Sequence, residues 1–156
     1  MSRFISLPLL VSVNGQDFKF HLRVYLIVVV HSGHPERNCA ALFKEGEMGL
    51  AKAPFVERPT DFASQDTHLV HGKVQFPRDY PGGSEAATAL YDKVKAMMTR
   101  VAALTVPKLT GYKECETGYQ VLGCDVLIDR DHRPWLLEIN QSPGFTGTDQ
   151  KKKKKK

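Results

Sequence analysis

Hydrophobic and polar residues alternate with period two from Phe18 to Val30 (FKFHLRVYLIVVV), a stretch rich in β-branched and aromatic side chains that predicts a strand. Alternation places Phe20, Leu22, Val24 and Leu26 on one face and Lys19, His21, Arg23 and Tyr25 on the other. One face is wholly apolar, and the other carries three groups suited to an anion. A turn over His31 to Arg37 leads to a short apolar strand around Cys39 to Phe43. From Glu45 to Gln75 periodicity is weak and Gly, Pro and polar residues recur, so this stretch reads mostly as loop.

The period changes to 3.6 after Pro81-Gly82-Gly83. Ala87, Leu90, Tyr91, Val94, Met97, Met98, Val101 and Leu104 form one stripe, predicting a helix from Ser84, its expected N-cap, to a stop before Pro107. The Met pair on that stripe reads as core filler. Tyr119 to Ile128 and Pro134 to Asn140 predict two further strands around the turn-forming Asp129-Arg130-Asp131-His132. The pattern is that of an α+β fold, mainly antiparallel sheet with a packed helix.

Composition alters this picture little. The chain has 156 residues, enough for one domain with a core. Its formal net charge of +5 becomes −1 without the six lysines Lys151 to Lys156, so the body lacks the broad basic face of a nucleic-acid-binding domain. The lysine run (151–156) reads as a disordered, solvated tail; the alternative is an attachment point for a polyanion. Cys39, Cys115 and Cys124 form no CxxC pair, which argues against a disulfide framework and favours a cytoplasmic location. The longest apolar run, Val24 to Val30, is too short to span a bilayer.

Candidate chemistry gathers on the last hairpin. A turn centred on Arg130-Asp131 would set Asp125 opposite Leu136 and diagonal to Glu138, with Glu138 and Asn140 on the same face. Two carboxylates and an amide oxygen make a hard-oxygen set suited to Mg²⁺. The alternative is an edge-strand charge at Asp125 and a salt-bridging Glu138, and the pattern alone leaves both open. Lys19 and Arg23 have a comparable alternative as a solvated strand face. The HxxH spacings His31/His34 and His68/His71 raise zinc, but no thiolates accompany them and neither pair lies on a clear helix.

The run GCDVLIDRDHRPWLLEINQSPGF resembles the metal-binding hairpin of the tubulin tyrosine ligase-like family of ATP-grasp ligases. RFISLPLL, FKFHLRVYLIV and LFKEGEMGLAKAPF resemble further family segments, and the ending NQSPGFTGTDQK is most similar to the polyglutamylase branch. The resemblance implies the C-terminal lobe of an ATP-grasp fold over 1–150, without its N-terminal half. It also implies ATP and Mg²⁺ as cofactors. Asp125, Glu138 and Asn140 would be metal ligands, and Glu138 and Arg23 the catalytic groups. Phe4 and Ile5 would lie at the adenine, and Lys19 with His21 at the nucleotide.

The implied function is addition of an amino acid, with glutamate favoured, to glutamate side chains in the acidic tails of tubulin on microtubules. The implied location is the cytoskeleton, including cilia or basal bodies, with no nucleic-acid or membrane partner. The alternative is a catalytically inactive remnant that docks on microtubules. Three departures from the family pattern bear on this choice: His21 stands at an Asp position, and Gly49 at an Arg position expected to hold the amino acid's carboxylate, with Lys52 a displaced cation nearby. His68-Leu69-Val70-His71 replaces an HLTN segment.

Overall fold

The computed structural model describes residues 7–56, 70–111 and 115–144. The expectations at Phe4 and Ile5, at His68 and for the lysine tail fall outside them. Among the described residues, seven strands and one long helix make the fold: β1 (Leu10–Val13), β2 (Gln16–His31), β3 (Cys39–Leu42), β4 (Gly46–Ala51), β5 (Val70–Phe76), α1 (Ser84–Thr105), β6 (Thr117–Ile128) and β7 (Pro134–Asn140). All named strand pairs are antiparallel, with a main order β5-β4-β2-β6-β7. The expected α+β class is therefore what the chain adopts.

The sixteen residues of β2 organise the sheet. Along one edge β2 pairs with β4 over Phe20 to Arg23 and with β3 over Leu26 to Val29. Along the other it pairs with β6 from Leu22 to His31, while β1 folds back over Gln16 to Lys19. The period-two reading holds: Phe20, Leu22, Val24 and Leu26 are all buried. They meet Ala87, Leu90, Val94 and Met98 of α1, together with Met48, Phe76, Cys124, Val126 and Ile128. Helix and apolar sheet face thus close one core, and the opposite sheet face is left to the polar residues. Met98 is fully buried and Met97 packs against the core, as the filler reading expects.

Several expectations change. Much of the stretch read as loop is β4 and β5, whose GEMGLA and VHGKVQF sequences lack a strong strand signal. They form because β2 offers β4 an edge and β4 offers one to β5, so pairing overrides weak local preference. A side chain at Gly46 would collide with the Arg23 carbonyl, so this close approach requires glycine. The Asn14-Gly15 pair, with φ of 52° and 77°, turns β1 into β2, a hairpin signal that the strand reading passed over. Gly83 rather than Ser84 is the N-cap residue of α1, and no side chain caps it. Leu104 leaves the buried stripe at 69% exposure.

The last hairpin differs in register. Asp125 lies directly opposite Glu138, while Val126 lies opposite Leu136, so a bulge accommodates Leu137 between the two pairs. One extra residue reverses the alternation. Leu136 therefore packs toward the core and Glu138 turns to the polar face, although the two are only two positions apart. Asp129 fixes the turn: its Oδ1 accepts from the Asp131 and Arg133 amides at 2.9 Å each, and its Oδ2 accepts from Trp135 Nε1 at 2.8 Å.

Leu22→Ala should cost about 2–5 kcal/mol of stability through lost burial and a residual cavity. Leu104→Ala should stay within about 0.5 kcal/mol. Urea denaturation of both variants checks the assignment of the core.

Candidate functional site

The site begins with the strand alternation. Residues that cannot be buried beneath α1 fall on the open face of the sheet, and strand pairing aligns them in rows across it. One row runs Gln75, Glu47, Arg23, Asp125 and Glu138 across β5, β4, β2, β6 and β7. A parallel row places Lys73 opposite Gly49 and Gly49 opposite His21. Arg23 stands between the carboxylates of Glu47 and Asp125, the counter-charge that half-buried ionic groups need, and Glu138 adds a second carboxylate beside Asp125.

Arg23 and Asp125 form the tightest contact. The guanidinium donates from Nε to Oδ1 at 2.7 Å and from Nη2 to Oδ2 at 2.6 Å, a two-pronged pair with side-chain exposures of 18% and 13%. Burial pushes the Asp125 carboxyl up. The Arg23 fork and charge, His21 and a hydrogen bond with Glu138 outweigh that, holding it below the ordinary aspartate range. The Asp125 bond raises the Arg23 guanidinium further above its already high value. A second pair, Lys73 Nζ to Glu47 Oε2 at 2.7 Å, lies on the other side of Arg23.

Desolvation lowers both Lys19 and His21. For His21 the Asp125 charge opposes this but does not overcome it, so the imidazole is a neutral donor or acceptor at pH 7. Lys19 and His21 line a cavity of about 110 Å³ with Gly49, Ala51, Leu127 and Leu137. The Cys124 thiol, beside Asp125 in sequence, faces the core and is pushed up to about 11 by burial, which leaves it unreactive.

Of the residues expected in a site, Lys19, His21, Arg23, Asp125 and Glu138 are placed on this face. Asn140 joins them opposite Gly123, two positions along β7 from Glu138, with its Oδ1 accepting from the Ser142 amide at 3.1 Å. The donor set fits a hard divalent cation: each carboxylate oxygen has two lone pairs, so a hydrogen bond from Arg23 does not exhaust Asp125. Among the described residues no three His, Cys, Asp or Glu side chains gather as a metal cage. His31 and His34 are spent separately, on Thr117 and Glu36.

Glu47 and Lys73 were missed by the sequence reading. Glu47 is only 9% exposed, an unusual burial for a carboxylate. The one available signal was its place beside a glycine in a short apolar segment. Gly123 matters too, since a side chain there would meet Pro143 at 2.8 Å and push away the turn that follows β7.

Asp125 titrates lower in the folded chain than in the unfolded one, so it contributes stability above the ordinary aspartate value near 4. That contribution disappears as pH falls through the lower, folded value. Arg23→Gln should cost about 1–3 kcal/mol at pH 7 and flatten this acid limb. Denaturation midpoints measured from pH 7 to 2.5 on both proteins check it.

The model of the tubulin-tyrosine ligase family matches residues 82–156, which include α1 and the hairpin. Human tubulin polyglutamylase TTLL7 is 48% identical over 165 residues, covering 87% of this chain and 18% of its own length. The Xenopus tropicalis TTLL7 protein is 46% identical over 169 residues with the same coverage. The probable tubulin polyglutamylase TTLL9 of Bos taurus is 29% identical over 168 residues, 95% of this chain and 34% of its own length. The chain thus spans about a third or less of the relatives it matches. With the matched segment carrying the Asp125–Glu138 hairpin, the chain belongs to the tubulin-tyrosine ligase family.

Proposed function

We propose that the open face is one wall of the active site of an ATP- and magnesium-dependent ligase that adds glutamate to glutamate side chains in tubulin tails. The observation that carries this is the direct cross-strand pairing of Asp125 with Glu138, with the Arg23 guanidinium joined to the same carboxylate. The names of the similar polyglutamylases support the substrate class. In this reading 1–150 is the C-terminal lobe of an ATP-grasp fold, and the protein works at microtubules, including those of cilia.

The chemistry suits the residues. An acceptor carboxylate oxygen attacks the γ-phosphorus of ATP, giving an acyl phosphate and ADP. The amino group of the incoming amino acid then attacks the acyl carbon; the new amide forms, the C–O bond breaks, and phosphate and a proton leave. Neither step needs a protein nucleophile, only charge compensation and alignment. Magnesium, when bound, supplies positive charge between the phosphate oxygens. Asp125, Glu138 and Asn140 would hold it, Lys19 would meet the phosphates, and Arg23 the acyl-phosphate end. His21 would serve as a neutral hydrogen-bonding group at the nucleotide.

A docking module without catalysis is the rival reading, favoured by Gly49 where the family pattern has an arginine. The two separate on nucleotide binding. Calorimetric titration of the chain with a non-hydrolysable ATP analogue should show binding that requires Mg²⁺ and weakens by at least about tenfold in Glu138→Gln. Equal binding with and without Mg²⁺, or no effect of Glu138→Gln, would remove the hairpin from the metal site.

A further inference from the structure

β7 ends at Asn140, opposite Gly123, but β6 runs on past it from Leu122 back to Thr117. The chain after Asn140 does not continue along β6. It turns over the open face, and Pro143 becomes buried against Gly123. Gly123 lies between Tyr25 and Asn140 in the strand register, so the turn borders the row that holds Arg23, Asp125 and Glu138. A β-carbon added to Gly123 would stand 2.8 Å from Pro143 and 3.7 Å from the Arg23 side chain. The bare backbone at Gly123 is thus the seat that the proline ring fills.

Two side chains fasten this turn. Asn140 Oδ1 accepts from the Ser142 amide at 3.1 Å, which ties the orientation of the Asn140 side chain to the turn itself. Gln120 Nε2 donates to the Gln141 carbonyl at 2.5 Å and to the Val121 carbonyl at 3.2 Å. Both partners are acceptors, so the Gln120 amide can present only its NH₂ group to them. Gln120 is exposed, where a side chain adds little to global stability. Its effect is local: it fastens the carbonyl next to Asn140 to a point 21 residues away in the chain.

We propose that Gln120 and Gly123 are positioning residues for the Asn140 amide oxygen, acting through the Gln141–Pro143 turn. The inference rests on the ligase reading only for the assignment of Asn140 to a divalent cation. Neither residue offers a side-chain atom to that cation. Gln120 anchors the turn from outside and Gly123 makes room for it. The Ser142 amide takes one lone pair of Oδ1, and the other is left for the cation in a direction that the turn sets. Mg²⁺ demands near-ideal octahedral geometry and tolerates little displacement of such an oxygen, whereas Ca²⁺ accepts flexible geometry. The clasp therefore bears on which ion the hairpin prefers as well as on how tightly it holds one.

The test is calorimetric titration of the 156-residue chain with a non-hydrolysable ATP analogue, in Mg²⁺ and separately in Ca²⁺. Gln120→Met keeps the length of the side chain and removes the donor without adding charge. It should weaken Mg²⁺-dependent binding by at least about tenfold. Ca²⁺-dependent binding should stay within about twofold, and the urea midpoint should not move. Gly123→Ala, which displaces Pro143, should show the same selective loss with Mg²⁺. Unaltered Mg²⁺-dependent affinity in Gln120→Met, or an equal loss with both ions, would overturn the proposal. The wild-type chain and Glu138→Gln separate the two failures. If wild-type binding needs Mg²⁺ and Glu138 but is indifferent to Gln120, only the positioning role falls. If it needs neither, the ligase reading falls and takes this inference with it.

Discussion

Strand β2 must bury one side chain in two beneath α1, and every charged group on the open face owes its position to that requirement. Phe20, Leu22, Val24 and Leu26 fix which way the strand faces, so Lys19, His21, Arg23 and Tyr25 have nowhere else to go. A slip of one residue against β6 or β4 would exchange the two sets and bury an arginine and a lysine in a hydrocarbon core. The core thus sets the site's geometry without contributing an atom to it. Glycine at position 46 belongs to the same constraint, because a side chain there would collide with the Arg23 carbonyl.

Across the sheet Glu47, Arg23, Asp125 and Glu138 stand in one row, and Lys73 reaches Glu47 from the neighbouring row. Arg23 has a carboxylate on either side in the register and Glu47 has Arg23 and Lys73 beside it, while Asp125 has Arg23 on one side and a second carboxylate, Glu138, on the other. Such a row also gives the face two chemically distinct ends. The Asp125–Glu138 end offers hard oxygens, and the Lys73 end offers a cation beside a carboxylate.

The chain belongs to the tubulin-tyrosine ligase family and is similar to tubulin polyglutamylases. The chain spans a minor part of those proteins, and the face described here is one wall of a larger arrangement in the proposed enzyme. Two of its departures from the family pattern fall together in space: His21 and Gly49 face each other across β2 and β4, and Lys73 stands next to Gly49.

The sequence by itself determined β2, α1, both hairpin strands, the buried stripe and the candidate residues Lys19, Arg23, Asp125, Glu138 and Asn140, because period and residue type are local properties of the chain. The family resemblance was legible there too, in the hairpin run from Gly123 to Phe145. Tertiary structure alone decided the rest. β4 and β5 exist as strands because an edge was available, which no local propensity announces. The bulge at Leu137 put Glu138 directly opposite Asp125, where simple counting from the turn made them diagonal neighbours. Glu47 and Lys73 became a paired element of the face only when two weakly patterned segments were set side by side. Alternation along a strand is written in the order of its residues; register between strands depends on bulges, glycine contacts and partners far away in the chain.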